Sequence, residues 1–435
     1  MKRKNIIKEV LIDNQNRDFN QVRKRSLTLP INSNKIVSLT GVRRSGKTYM
    51  LFDTIKNLLK KDIKKSKIIH LNFDDERLQL TTEDLDLILQ AYRELFPNND
   101  LKTCYFFFDE IQNIPNWEKF VSRLYETISK NIFITGSNSK MLSSDIATSL
   151  RGRNINFEVF PLSFNEFLDF KKIKIKTIGS KQKSILINAL DAYIKNGGFP
   201  ELIQIPEKYH QKTLQEYFYV MLYKDLIERY DISNSLNLKY FLNRILVNIG
   251  KPTSVNKIYN ELKSNGYSVS KNTLYDFLDY SEAVYLNFSL KKFDYSLIKR
   301  EKSEKKNYFI DNGLINALTF KFSDNYGLLL ENAVYLHLRQ KHKDNLFYFK
   351  EKKECDFVVF KEDEINKIIQ VSYNIEDKQT LKREVDSLIY TGKKLNINKG
   401  IIITFDSAED EIIQENFKIN ILPAYLFLFD KIYKK

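Results

Sequence analysis

The eight residues Gly41-Val42-Arg43-Arg44-Ser45-Gly46-Lys47-Thr48 constrain this chain more than any other feature. They complete the pattern GxxxxGK[ST], and their surroundings suit it. The apolar run from Lys35 to Thr40 reads as a buried strand, and the stretch from Thr48 to about Lys60 reads as a helix. A polyphosphate needs many hydrogen-bond donors in a small space. Glycines let successive backbone N–H groups curl around it, and the helix that follows points its positive end at the anion. In such a loop Lys47 reaches the β/γ-phosphates, Thr48 offers its hydroxyl to Mg²⁺, and Gly41, Arg44, Ser45 and Gly46 line the cradle. ATP with Mg²⁺ is the expected ligand.

The next elements repeat the alternation of strand and helix. Ile68–Phe73, Tyr105–Phe108 and Ile132–Thr135 read as strands, and the segments 81–96 and 117–130 as helices. This order predicts a parallel sheet with helices on both faces. Ligands of such sheets bind beyond the carboxyl ends of the strands. Asp109 and Glu110 stand at that end of Tyr105–Phe108, so Asp109 is expected to hold Mg²⁺ through water and Glu110 to polarise the attacking water. Asn138 or Ser137, after the Ile132 strand, would sense the γ-phosphate. Arg151 or Arg153, in Leu150-Arg151-Gly152-Arg153, would stabilise charge on the transferred group, in its own subunit or from a neighbouring one.

Length and composition leave room for more than this core. The chain has 435 residues, which at about 150 residues per domain suggests three domains. No apolar run reaches the roughly 18 residues of a membrane helix. The basic N-terminus MKRKNIIKEV lacks a secretory apolar core, so a cytoplasmic protein is expected. Two cysteines and four scattered histidines offer neither a disulfide framework nor zinc-ligand spacing. The net charge of +15 favours a polyanionic partner such as DNA, although a lysine-rich composition with solvated side chains accounts for it equally.

Taken in order, GVRRSGKT, FFDEIQNIPNWE, FITGSNSKMLSSDIATSLRGR and FPLSFNEF resemble the archaeal and bacterial AAA+-type ATPases distantly related to origin-recognition and STAND ATPases. YIKNGGFPE and YFIDNGLINA extend the resemblance into the C-terminal part of those proteins. It implies an ATPase core, a winged helix and a restriction-nuclease-like α/β domain. The expected organisation is a lead-in over 1–30, the P-loop core over 31–160, a helical lid-like region over 161–245, a winged helix over 246–305 and the nuclease-like domain over 306–435.

Within the winged helix, Val255, Ile258 and Leu262 mark one helix, Ser270 caps a second, and Leu274, Phe277 and Leu278 form its inner face. The outer face carries Asp276 and Asp279, which would repel phosphates. The hairpin residues Lys291, Lys292, Lys299 and Arg300 are better placed to contact them. Packing or subunit contact is the alternative use of this module.

In the C-terminal domain, strands are expected at 346–350, 355–360, 366–373, 399–404 and 420–428, with helices at 326–341 and 378–394. Nucleases of this type use a helical glutamate, an aspartate at the start of a strand and a Glu-x-Lys on the next strand. Glu331 and Asp356 fill the first two positions, but Gln370 and Ser372 stand where a carboxylate and a lysine belong. Lys350, Lys352 and Lys353 are candidate substitutes for the lysine. A nuclease-like fold without catalysis is the expectation. The functional expectation is an ATP-hydrolysing AAA+ protein acting on or near DNA, with a homo-oligomer as a candidate assembly. An ATP-dependent nuclease and a STAND-like scaffold with a protein partner are the alternatives.

Overall fold

A computed structural model describes residues 2–138, 150, 152–319, 326–362, 364–408 and 411–429. Two compact units emerge. The first comprises Met1–Phe160 with Ala283–Tyr285, and the second Pro161–Glu282 with Leu286–Lys435.

The first unit is built on five strands: β1 (Ile36–Thr40), β2 (Ile68–Asn72), β3 (Tyr105–Asp109), β4 (Ile132–Gly136) and β5 (Asn154–Glu158). They lie in the order β2-β3-β4-β1-β5, and every pairing is parallel. Apolar runs suit such a sheet because both faces are covered. The two-residue period sorts them: Phe106 and Phe108 join one core with Ile134, while Phe107 joins the other with Phe133, their rings stacked at 4.8 Å. The helix Lys47–Leu59 covers the second face, and the helices Leu85–Leu95 and Trp117–Thr127 cover the first.

The expected lead-in contains the helix Lys2–Asn16. Its Ile7, Val10 and Leu11 enter the first core. Just beyond, Asn14 and Gln15 donate side-chain amide hydrogens to the carbonyls of His70 and Ile68 on β2, both at 2.9 Å.

The second unit begins with helices at Phe164–Phe170, Ser180–Asn196 and His210–Val220, the last continuing as a π-helix over Met221–Glu228. Helix Ser235–Val247 leads into the segment expected to form a winged helix. There, β6 (Pro252–Thr253) is followed by helices Val255–Ser264 and Lys271–Ala283 and then by β7 (Asn287–Leu290) and β8 (Lys305–Phe309), the three strands forming a small sheet ordered β6-β8-β7. Ser270 caps the second helix as expected, accepting from the Thr273 N–H at 3.0 Å.

The α/β part follows: β9 (Leu346–Lys350), β10 (Glu354–Lys361), β11 (Glu364–Val371), β12 (Lys399–Thr404), β13 (Ile412–Gln414) and β14 (Phe417–Pro423), in the order β13-β14-β12-β11-β10-β9. β9, β10 and β11 pair antiparallel, and β11, β12 and β14 pair parallel. Helix Lys378–Leu395 packs on this sheet through Val385, Leu388 and Ile389. One expectation fails: the last strand stops at Pro423, and Ala424–Leu428 is helical. Pro423 lacks the N–H that would continue a ladder and sits at the start of the helix, whose Ala424, Tyr425 and Leu428 are buried at helical spacing.

The Asn196–Pro200 segment meets the Asp311 turn within this unit. Gly197 has φ +75°, and a Cβ there would lie 2.0 Å from Asp311 Oδ1. Asp311 accepts from the Gly198 N–H at 2.6 Å and the Leu314 N–H at 3.2 Å, capping helix Asn312–Leu318. Burial pushes its carboxyl up to about 7, against the opposing pull of these N–H groups.

Candidate functional site at the carboxyl ends of the first sheet

Because the strands are parallel, Gly41, Asp109, Glu110, Ser137 and Asn138 all follow carboxyl ends and gather at one edge of the sheet. The loop needs its first glycine: Gly41 has φ +154°, and a Cβ would sit 2.2 Å from the Val159 carbonyl oxygen. Arg44 adopts φ +66° and Gly46 φ +98°, so the chain turns sharply into the helix at Lys47. Arg25 braces the loop from outside, donating to the Ser45 carbonyl at 2.9 Å and the Phe160 carbonyl at 3.0 Å.

Lys47 is buried. Its Nζ donates to the Gly41 and Val42 carbonyls at 3.0 and 3.2 Å and lies 3.5 Å from Glu110 Oε1. Gln112 Nε2 donates to the other Glu110 oxygen at 2.6 Å and lies 3.5 Å from Ser137 Oγ. Burial alone would raise the Glu110 pKa, but Lys47, Gln112 and Arg43 outweigh it and hold the carboxylate below its usual range. Asp109 behaves oppositely. Burial, with Glu110 beside it, pushes its carboxyl up to about 6 despite hydrogen bonds from Thr135 and Thr48.

Thr135 ties the strands together here. Its hydroxyl donates to Asp109 Oδ1 and accepts from the Glu110 N–H at 2.9 Å. Neither Thr135 nor Gln112 was singled out by motif. Thr135 could have been found from its place one residue before Gly136, level with Asp109 in the parallel register.

The donor set fits a nucleotide with its cation. Ser45 Oγ and Asp109 Oδ2 are buried without a hydrogen-bond partner. The glycine cradle excludes side chains where the backbone N–H groups turn inward, and Thr48 supplies a hydroxyl beside Asp109.

Arg153 is not brought to this edge within its own chain. It precedes β5, whose Asn154 pairs with Ile36 at the amino end of β1, a full strand length from the loop. Its guanidinium pairs with Glu126 and lies 5.6 Å from the Tyr125 ring centroid. Arg151 lies outside the described residues, as does the segment 139–149.

Sequence comparison agrees with this architecture. Residues 33–168 match the model of an AAA domain, and residues 187–325 match a domain of unknown function. An uncharacterized protein of Methanocaldococcus jannaschii is 38% identical over 437 residues, covering 97% of this chain and 95% of that one. The chain belongs to the AAA+-type P-loop ATPase family. A Haemophilus influenzae relative is 31% identical over 81% of this chain and 85% of its own length. Among solved structures, this AAA+ chain is similar to Aeropyrum pernix Orc1 in complex with DNA (13% identity, 74% of this chain and 92% of that one, TM-score 0.31). It is also similar to AMPPCP-bound DnaA from Aquifex aeolicus (14% identity, 66% and 86%, TM-score 0.25). No helix among the described residues is long and apolar enough to cross a membrane.

In the second unit, Glu331 of helix Tyr326–His342 and Asp356 of β10 do come together, with Gln370 of β11 accepting from the Asp356 N–H at 3.2 Å. Ser372 does not join them: it lies past the end of β11 and donates to the Asn374 carbonyl. The lysine that reaches both carboxylates is Lys306 of β8. Lys350 pairs with Glu354 at 2.9 Å, and Lys353 lies 3.9 Å from Asp386. Two of the cations expected on the wing are engaged by other groups of the chain. Arg300 folds inward, donating to the Asp294 carbonyl at 2.8 Å over the Phe347 ring, and Lys291 pairs with Glu301.

Proposed function

We propose that the chain binds ATP with Mg²⁺ at Gly41–Thr48 and hydrolyses it, with Glu110 orienting and deprotonating the attacking water. The observation that carries this reading is the Glu110 carboxylate, kept ionised between Lys47 and Gln112 beside a loop whose Ser45 hydroxyl lacks a partner. Thr48 and Asp109 would hold Mg²⁺, which when bound neutralises charge on the transferring phosphoryl group. Lys47 would exchange its loop carbonyls for β/γ-phosphate oxygens. Thr135 keeps Asp109 and the Glu110 backbone in register, and Gln112 fixes the Glu110 carboxylate relative to Ser137. Asn138, buried at the end of the same strand, would sense the terminal phosphate.

The nucleotide cycle is read as acting on or near DNA. The net charge of +15 supports this, as do the winged-helix order of elements and the exposed Lys299 and Lys302 on the wing. A homo-oligomer is part of the reading, because Arg153 would meet a phosphate only by acting on a neighbouring copy. The test is the ATPase rate with and without single- and double-stranded DNA, together with DNA affinity across salt. Phosphate contacts release counterions, so the logarithm of the affinity should fall linearly with log[salt]. An affinity that ignores salt would remove DNA from the reading, and a protein without turnover would remove the ATPase itself.

A further inference from the structure

A buried charged cluster gathers around Lys306 in the second unit. Lys306 side chain is 1% exposed. Its Nζ lies 2.9 Å from Glu354 Oε1, 3.0 Å from Asp356 Oδ1 and 3.4 Å from Glu331 Oε1. Tyr308, two residues along the same strand, donates to Glu331 Oε1 at 2.6 Å. Asp356 Oδ2 accepts from the Val371 N–H at 3.0 Å, and Glu354 Oε2 is met by Lys350. An uncompensated buried lysine would lose its proton or cost several kcal/mol. Here burial pulls the ammonium pKa down, but Glu331, Asp356 and Glu354 together hold it well above its usual value.

A nuclease-like cleft of this layout is expected to hold a divalent cation, and the residues present do not fit one. Mg²⁺ needs oxygens at about 2.0–2.1 Å in an octahedron. The three carboxylates instead converge on a nitrogen, each at hydrogen-bond distance, and the neutral Gln370 replaces a ligand carboxylate. Among the described residues no group of three or more His, Cys, Asp or Glu side chains is set to hold a metal.

We propose that the Lys306 ammonium is a built-in substitute for the divalent cation, so that the cleft takes no metal while Lys306 is present and becomes a metal site of Glu331, Glu354 and Asp356 when the ammonium is removed. The wing strand β8 thus delivers to the α/β sheet a permanent charge where related layouts use an exchangeable one. A tethered ammonium has no open coordination position and cannot activate water, so the cleft holds its charge balance without phosphodiester chemistry. The inference stands apart from the nucleotide site and does not depend on it.

Mn²⁺ binding to the full-length, nucleotide-free protein tests it, with the signal of free Mn²⁺ followed by electron paramagnetic resonance. Only binding abolished by Asp356→Asn counts as belonging to this cleft. The parent should show none, and Lys306→Met should gain one Mn²⁺ per chain that Lys306→Met with Asp356→Asn loses again. Binding by the parent that Asp356→Asn removes would overturn the substitution. A folded Lys306→Met protein without added Mn²⁺ affinity would overturn the latent site. If Lys306→Met unfolds in chelator, recovery of its far-ultraviolet dichroism by millimolar Mn²⁺ supports the proposal, and failure to recover contradicts it.

Discussion

The Lys47 ammonium stands 3.5 Å from the Glu110 carboxylate while donating to two carbonyls of its own loop. One cation therefore serves the element that would grip phosphate and the group that would act on water, so charge at either position alters the other.

Lys47→Ala should weaken ATP binding. Loss of hydrogen bonds to a charged group costs about 1.5–3 kcal/mol, or roughly 10- to 150-fold in affinity. Titration with a fluorescent ATP analogue reads this directly, and an unchanged Kd would mean that the phosphates bind elsewhere.

Glu110→Gln separates binding from turnover. The amide keeps the shape but cannot take a proton, so ATP should still bind while kcat falls by about 10² to 10⁴. Single-turnover assays at saturating ATP decide the matter, and parental turnover would take the base role away from Glu110.

Gln112→Ala removes the 2.6 Å bond that orients Glu110. The expected result is a fall in kcat of about tenfold or more with little change in KM for ATP. A change confined to KM, or to thermal stability, would make Gln112 structural.

Arg153→Ala loses a surface pair with Glu126, whose side chains are 27% and 40% exposed. Such pairs contribute about 0–1 kcal/mol, so stability should barely move. Turnover at high dilution should match the parent. A loss of rate that appears only as protein concentration rises would show Arg153 acting on a neighbouring copy.

The raised carboxyl of Asp311 gives a signed pH dependence. Its pKa moves from 3.8 to about 7 on folding, so the folded state holds this proton more tightly than the unfolded chain. That contribution is complete below pH 4, is lost as pH rises towards 7 and is flat above. Its upper size is about 4 kcal/mol at about 1.4 kcal/mol per unit. Urea unfolding between pH 5 and 8 should show the parent losing stability relative to Asp311→Asn as pH rises from 5 to about 7, with no further change above that. Parallel curves would place the Asp311 pKa elsewhere.

What the sequence made legible was local. The loop Gly41–Thr48, the strand before it and the acidic pair after Phe108 are contiguous signals, and the parallel sheet follows from their alternation. What it hid depends on long-range register. Lys306 lies 50 residues before Asp356, and in the run Lys305-Lys306-Asn307 nothing distinguishes a buried ammonium from a solvated one. Arg153 looked suited to phosphate because it follows β4, but pairing of β5 with β1 carries it to the other end of the sheet. Gln112 was masked by the acidic pair beside it, whose chemistry explains the motif without a third residue.

The amides of Asn14 and Gln15 have a consequence for solubility. By occupying carbonyls on the outermost strand, they deny an incoming chain two of the acceptors it would need to extend the sheet. A protein lacking its first sixteen residues would lose this cover along with the apolar contacts of Ile7, Val10 and Leu11. Its β2 would then be open to pairing with another copy of itself, so the N-terminal helix guards against self-association as well as completing a core.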